Sequence, residues 1–267
     1  MLGTLALTLP VYQPSKLSIR KLLLNPLSIF DNTNKDLRLL VMKQIDSIYK
    51  PTASSLLENQ TDNIKSVVKK YLVESDLNSV VDNLQKSIKD VIKEHEGRVS
   101  AIKVILNTEI IKNNPSVEKE LNDLLAAESK KVVELKDEKV AIDLFIESIN
   151  HYYQVQSAKL YKDMRIVLFE KGVSEDVYKE VFVPYIVGDK TRLQNASTSE
   201  KVINSIKFIN QYIKHSGHDV KIPVLIDEFE TIDTKSVEEL NKVCKSHFIV
   251  GAKVDTQYDA LTQLPLK

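Results

Sequence analysis

The chain has 267 residues, 43% of them apolar, enough for a packed core and too many for a disordered chain. Its 37 basic and 37 acidic side chains cancel, so no net field draws it onto nucleic acid or anionic lipid. The single cysteine, Cys244, excludes an internal disulfide and a cysteine-based zinc cluster, and points to a reducing, cytoplasmic setting.

Met1 to Val11 is mildly apolar but has no basic n-region. No run in the chain approaches the roughly 18 to 20 apolar residues of a membrane span, so neither a targeting signal nor a membrane partner is expected. Leu2 to Val11 reads as a strand, and Pro10, Pro14, Pro26 and Pro51 break any long helix in the first 58 residues. Two short helices are predicted there, over Lys16 to Leu24 and Lys35 to Tyr49. The second places Leu37, Leu40, Val41, Ile45 and Ile48 at helical spacing.

From about Asp62 the texture changes to Lys, Glu, Asp and Asn with an apolar residue every three or four positions, which predicts long helix. Leu77, Val81, Leu84, Ile88, Val91, His95, Ile102 and Ile105 trace a coiled-coil seam, interrupted at His95 and Arg98. The pattern stops at Asn113-Asn114-Pro115-Ser116, where Pro115 removes a backbone donor and Ser116 is a candidate cap for a new helix. Glu118 and Glu120 then suit the positive end of that helix. Spacing resumes with Val117, Leu121, Leu124, Val132, Leu135, Val140, Leu144 and Ile146 and runs towards Tyr161. Two arms around one turn predict an antiparallel helical hairpin over residues 59–161, with its tip near 113–116 and a length of about 60 to 70 Å at ~1.5 Å per residue. The tip has no Cys-x-x-Cys, which excludes a metal hook.

Beyond the hairpin the period shortens. Met164 to Glu170 and Val177 to Ile186 read as strands around the turn-prone Lys171-Gly172-Val173-Ser174. A helix runs from about Ser199 to Lys214, with Val202, Ile203, Ile206, Ile209 and Ile213 on one face and Ser197 or Thr198 as cap. Then come a strand at Ile222 to Ile226, a helix around Ser236 to Cys244 and a strand at Phe248 to Val254. Alternating strands and helices predict an α/β lobe with a buried sheet over residues 162–267, on which segment 1–58 packs.

The chemistry concentrates at Val224-Leu225-Ile226-Asp227-Glu228. An apolar strand ending in two acids delivers both carboxylates to the carboxyl edge of a sheet, where nucleotides bind. In nucleotide hydrolases with such a strand, the first acid helps hold Mg²⁺ and the second orients the attacking water, roles that suit Asp227 and Glu228. Any α/β protein can also end a strand in an acid. About 30 residues upstream, Asn195, Ser197, Thr198 and Ser199 open a helix whose free N–H groups and dipole form an anion site, or serve only as an ordinary cap. Asp233 closes the turn after the strand or caps the next helix. His215 and His218 beside Asp219 suit a solvated loop better than a metal site, Cys244 suits a small core position, and His151 with Tyr152 and Tyr153 suits packing near the hairpin base.

The order of these parts resembles the C-terminal half of an SMC-type coiled-coil ATPase head, a group related to ABC and DNA-break-repair ATPases, and is most similar to its small phage- or plasmid-type members. In that resemblance LQNASTSEKVINSIKFINQYIKHSG corresponds to the signature helix and VLIDEFETID to the Walker B strand with its loop. KLSIRKLLLNPLSIFDNTNKDLRLLVMKQ corresponds to the segment leading from the head into its first coil. It implies that Glu228 is catalytic, that Asp227 holds the metal, and that Asn195, Ser197, Thr198, Ser199 and Asp233 contact nucleotide.

The departures are as informative. No G-x-x-x-x-G-K-[ST] occurs, so the nest and lysine that grip the β and γ phosphates are missing. The signature-like segment has no glycine pair, and His247 precedes the last strand instead of coming after it. The chain alone is therefore not expected to hold ATP. The expected function is a truncated or split SMC-like ATPase subunit acting on DNA. ATP and Mg²⁺ would be bound only with a head that contains a phosphate loop, and the partner is either such a head or a second copy. The alternative is a non-enzymatic coiled-coil scaffold with a degenerate head.

Overall fold

The computed structural model describes residues 34–171, 178–186, 191–216, 223–226, 234–243 and 248–251. The strand expected over Leu2 to Val11 and the helix over Lys16 to Leu24 lie outside them. The molecule is helix-rich, and the chain divides into two compact units, residues 49–152 and residues 1–48 with 153–267.

In unit 49–152, α2 (Ala53–Leu57) starts at a capping box. Thr52 Oγ1 accepts the Ser55 N–H at 3.1 Å, and Ser55 Oγ accepts the Thr52 N–H at 3.3 Å. Helix α3 (Asp62–Tyr71) buries Ile64, Val67 and Val68, then stops where Leu72 turns extended. The helical texture from residue 62 is thus not one helix. Asp76 starts α4 (Leu77–Leu106) by accepting the Ser79 N–H at 3.0 Å. The buried seam of α4 is Leu77, Val80, Leu84, Ile88, Ile92 and Ile102. Val81 and Val91, expected in the seam, are only half-buried, and Ile105 is exposed. A straight helix of 3.6 residues per turn drifts away from the strict three-and-four alternation from which those positions were read.

A short α5 (Glu109–Lys112) makes the turn. Then α6 (Pro115–Leu160) runs for 46 residues. Ser116 is not its cap: Pro115 itself is the first helical residue, where its missing N–H costs nothing, and the Glu118 N–H donates to the Asn114 carbonyl at 3.0 Å. Within this unit α6 buries Val132, Leu135, Ala141, Ile142, Phe145, Ile146 and Ile149, whereas the expected seam residues Leu124, Val140 and Leu144 are exposed. Helices α4 and α6 are tied side by side by Lys136–Glu96 at 2.9 Å and by His95 and Arg98, which meet Glu128 at 2.6 and 3.6 Å. Long helices joined in this way are compatible with a coiled coil.

In the second unit, α1 (Asn34–Tyr49) buries Leu37, Val41, Met42 and Ile45, and ends where Lys50 takes a left-handed φ of 45° before Pro51. Strands β1 (Met164–Lys171) and β2 (Tyr178–Ile186) pair antiparallel from Met164↔Ile186 to Lys171↔Tyr178, with an irregularity between Val167 and Phe169. A 3₁₀ turn (Leu193–Asn195) leads into α7 (Thr198–His215), which buries Val202, Ile203, Ile206, Phe208 and Ile209. Strands β3 (Pro223–Ile226) and β4 (Phe248–Gly251) pair in parallel, and α8 (Thr234–Val243) lies between them in the chain. The crossover through a helix is what a parallel pair requires. Among the described residues the four strands form two separate pairs and not the single buried sheet expected from their alternation.

The core of this unit is aromatic and partly polar. Tyr161 stacks on Phe208 at 5.1 Å between centroids, and Phe182 meets Phe208 edge-on at 5.9 Å. The Tyr161 hydroxyl donates to Gln44 Oε1, while Gln44 Nε2 donates to the Tyr212 carbonyl at 2.7 Å and to Ser216 Oγ at 3.0 Å. Tyr153 is buried and donates to Asp46 at 2.8 Å, while His151, expected to pack, is exposed. Arg38, only 5% exposed, pairs with Glu180 and lies over the Phe169 ring at 5.5 Å.

Candidate functional site

The candidate site has two parts, the opening turn of α7 and the carboxyl edge of β3. Leu193 and Ala196 are buried and anchor the approach to α7, leaving Asn195 and Ser197 exposed, Thr198 half-buried and Ser199 buried at 7%. Ser197 is the N-cap, with φ −62° and ψ 160°. Its Oγ accepts the Glu200 N–H at 3.3 Å, and Glu200 Oε2 accepts the Ser197 N–H at 3.0 Å. The Ser197 hydroxyl also donates to Glu200 Oε2 at 2.8 Å. This is a closed capping box in which two N-terminal donors are satisfied inside the helix itself.

The box bears directly on whether this turn suits a phosphate. Glu200 already supplies a carboxylate at the positive end of the helix dipole, so an incoming anion meets a like charge there. Of the five residues expected to touch nucleotide, four lie at this turn: Asn195 and Ser197 are open to solvent, Thr198 is half-buried and Ser199 is turned into the core.

Strand β3 runs parallel to β4 with Ile226 opposite Gly251, so both carboxyl ends lie on one edge. Asp227 comes directly after Ile226 in the chain. Asp227, Glu228 and Asp233 lie outside the described residues, as do His218, Asp219, Cys244 and His247. On the far side of α7, Lys207 pairs with Glu239 of α8 at 2.9 Å and Asn210 Nδ2 donates to the Val243 carbonyl at 2.7 Å, so α7 and α8 are fixed to one another. His215 uses Nε2 to donate to the Leu160 carbonyl at 3.0 Å. Among the described residues no group of three or more His, Cys, Asp or Glu side chains is placed to hold a metal ion, and no helix is long and apolar enough to cross a membrane.

Sequence reasoning missed Glu200 as the partner of Ser197, although Ser-x-x-Glu at residues 197–200 is the capping-box pattern and carries the signal in full.

No family model matches the chain, and no curated protein matches it. Among solved structures it is similar to the Smc head domain with an extended coiled coil bound to the C-terminal domain of ScpA, derived from Pyrococcus furiosus. The identity is 17%, the TM-score 0.29, and the match covers 72% of this chain and 54% of that one. The chain thus spans about half the length of the protein it matches there.

Proposed function

We propose that this chain is one part of a composite SMC-like ATPase that acts on DNA. It supplies a coiled-coil hairpin built from α4 and α6, a signature-like helix α7 and the acids Asp227 and Glu228, and a second polypeptide supplies the phosphate loop. The observation that carries the reading is the parallel pair β3–β4, whose first strand ends on the residue before Asp227-Glu228. A parallel pair crossed by a helix presents its carboxyl edge to ligands. The self-contained cap at Ser197 and Glu200 supports a division of labour, since this chain lacks a phosphate grip of its own. In the composite, Asp227 takes the metal and Glu228 the attacking water.

The test is co-purification with a chain that carries a phosphate loop, then hydrolysis measurements on the complex. Glu228→Gln is expected to abolish turnover while nucleotide stays bound, and unchanged turnover removes Glu228 from the mechanism. A thermal shift produced by ATP on this chain alone would overturn the division of labour.

A second reading, a non-enzymatic scaffold, is favoured by the apolar residues around the turn between the long helices, where Val104 is 69% and Ile110 81% exposed. On that reading nucleotide gives no thermal shift with or without a phosphate-loop partner. Val104→Asp with Ile110→Asp then abolishes partner binding while leaving helix content unchanged.

A further inference from the structure

Helix α4 has a weak point at residues 95–100, where three features coincide. Gly97 lies in mid-helix and is exposed, and a Cβ built on it would meet nothing within 4 Å, so no neighbour requires a glycine there. A glycine in a helix interior without a packing reason lowers helix propensity and adds backbone freedom. Three residues on, the Ser100 hydroxyl donates at 2.9 Å to the Glu96 carbonyl, the one that precedes Gly97 in the chain. A serine bonded back to the carbonyl four residues earlier weakens and bends a helix, and glycine paired with serine is a recurrent cause of kinks.

The third feature is the break in the apolar seam. Between Ile92 and Ile102 no residue of α4 is buried, and at this level the helices meet through charge. His95 Nδ1 lies 2.6 Å from Glu128 Oε2 and Arg98 Nη1 lies 3.6 Å from Glu128 Oε1, while Arg98 also holds Glu94 at 2.5 Å. The two sides of this cluster are packed differently. Towards the base, both helices bury apolar stripes that begin at Ile92 and Val132. Towards the tip, Ile102 is the one buried side chain between residues 93 and 131, and Val104, Ile105 and Leu124 are exposed. With little apolar area to lose, the tip side is closed chiefly by the contacts of Glu128, and such regions open first.

We propose that Glu128 is a latch over a joint at residues 95–100. When it releases, residues 99–106 of α4 and 115–127 of α6 move apart while the base of the helix pair stays closed. Release asks only that His95 and Arg98 exchange a carboxylate for water, and the bend is absorbed at Gly97 and Ser100. Opening uncovers Ile102, so the hairpin has a closed and an open form that differ in the apolar surface offered near its turn. A partner that prefers the open form would shift the balance between them.

The experiment is a pulsed spin-label distance measurement on the full chain with Cys244→Ser and nitroxides at pairs of exposed positions. Val104→Cys with Leu124→Cys spans the tip side, and Lys89→Cys with Val140→Cys spans the base. The base pair is expected to give one narrow distribution, and the tip pair a main distance with a minor, longer one. Glu128→Ala should enlarge the longer population by up to about fivefold, the weight of a partly exposed ion pair, and leave the base pair unchanged. Gly97→Ala with Ser100→Ala should suppress it, with or without Glu128→Ala. Alanine favours helix at all three positions, and circular dichroism verifies that helix content is kept. A tip distribution as narrow as that of the base in the Glu128→Ala chain overturns the proposal. A longer population that survives Gly97→Ala with Ser100→Ala also overturns it, because that result marks fraying from the turn and not a joint.

Discussion

Unit 49–152 and the unit formed by residues 1–48 and 153–267 place their polar contacts in opposite ways. In the first, the contacts between helices are mainly ion pairs that reach the surface: the Lys70 and Lys136 side chains are 54% and 58% exposed in their pairs with Glu138 and Glu96, while His95–Glu128 is the more covered pair at 18% and 15%. In the second, the polar groups are inside, with Gln44 5% and Tyr161 1% exposed and joined to each other. Surface pairs are screened and contribute little each, so apolar side chains such as Leu84, Ile88, Ile142 and Phe145 carry the helix pair. A buried network adds directional bonds that only one arrangement satisfies, so it specifies geometry as well as stability. The unit that bears the candidate site is therefore the one whose packing is most exactingly defined.

The largest expected effect is on the aromatic centre. Phe208→Ala removes the ring that meets both Tyr161 and Phe182, and should cost about 3 to 5 kcal/mol in denaturant unfolding. Hydrogen exchange should quicken in α7 and β1 but not in α4, and equal deprotection of α4 would erase the contrast between the units. Next, Tyr161→Phe deletes only a hydroxyl and leaves Gln44 Oε1 unpaired in the interior, a loss of about 1 to 3 kcal/mol. In the same assay Lys136→Ala should cost about 0 to 1 kcal/mol. If the two variants were equal, the interior network would have no special weight.

Helix caps should respond alike in both units, because a cap is local. Ser197→Ala and Asp76→Ala are each expected to lower stability by about 1 kcal/mol, with recovery in Ser197→Thr and Asp76→Asn, read by thermal melts.

The smallest effects come from pH and fall in the helix pair. The hydrogen bond from His95, with the charges of His95 and Arg98, holds the Glu128 carboxyl below the usual range. A group depressed by folding stabilises above its unfolded value and loses that contribution as pH falls through the folded one. Melting temperature should therefore drop on acidification into the carboxylate range, and less so in Glu128→Gln. At the alkaline end, burial and then the bond to Glu138 push the Tyr71 phenol from 10.0 to about 12. Its contribution is present below the ordinary value and is lost as pH climbs through the raised one, which ultraviolet titration of the phenolate would track.

Elements with one unambiguous period were legible in the sequence. The helix read over Lys35 to Tyr49 and the strands read over Met164 to Glu170 and Val177 to Ile186 match α1, β1 and β2 to within a residue at each end. The seam of α4 was not, because a straight helix drifts from the strict three-and-four alternation, so Val80 and Ile92 are buried where Val81 and Val91 were expected. Exposed Val140 and Leu144 misled for a related reason. In a helix of 46 residues apolar side chains fall on more than one face, and spacing alone does not say which face is covered. At the site, the α7 cap was readable from Ser197 and the residues after it. The Gln44–Tyr161 bond joins residues 117 apart, and no local pattern announces such a pair.

The side chain of Gln154 has a role beyond its own helix. It donates from Nε2 to the Ile166 carbonyl at 2.7 Å and accepts the Leu168 N–H at Oε1 at 2.9 Å, at the irregularity of β1. One amide thereby makes the two bonds that a neighbouring strand would make, on a strand with only β2 paired to it among the described residues. An unpaired edge is a template on which another chain can add a strand, and a glutamine that plugs it removes the template at its most irregular point. Solubility of this small sheet during folding thus depends on a residue of α6, and Gln154→Ala should first appear as aggregation at high protein concentration, before any change in the fold of the monomer.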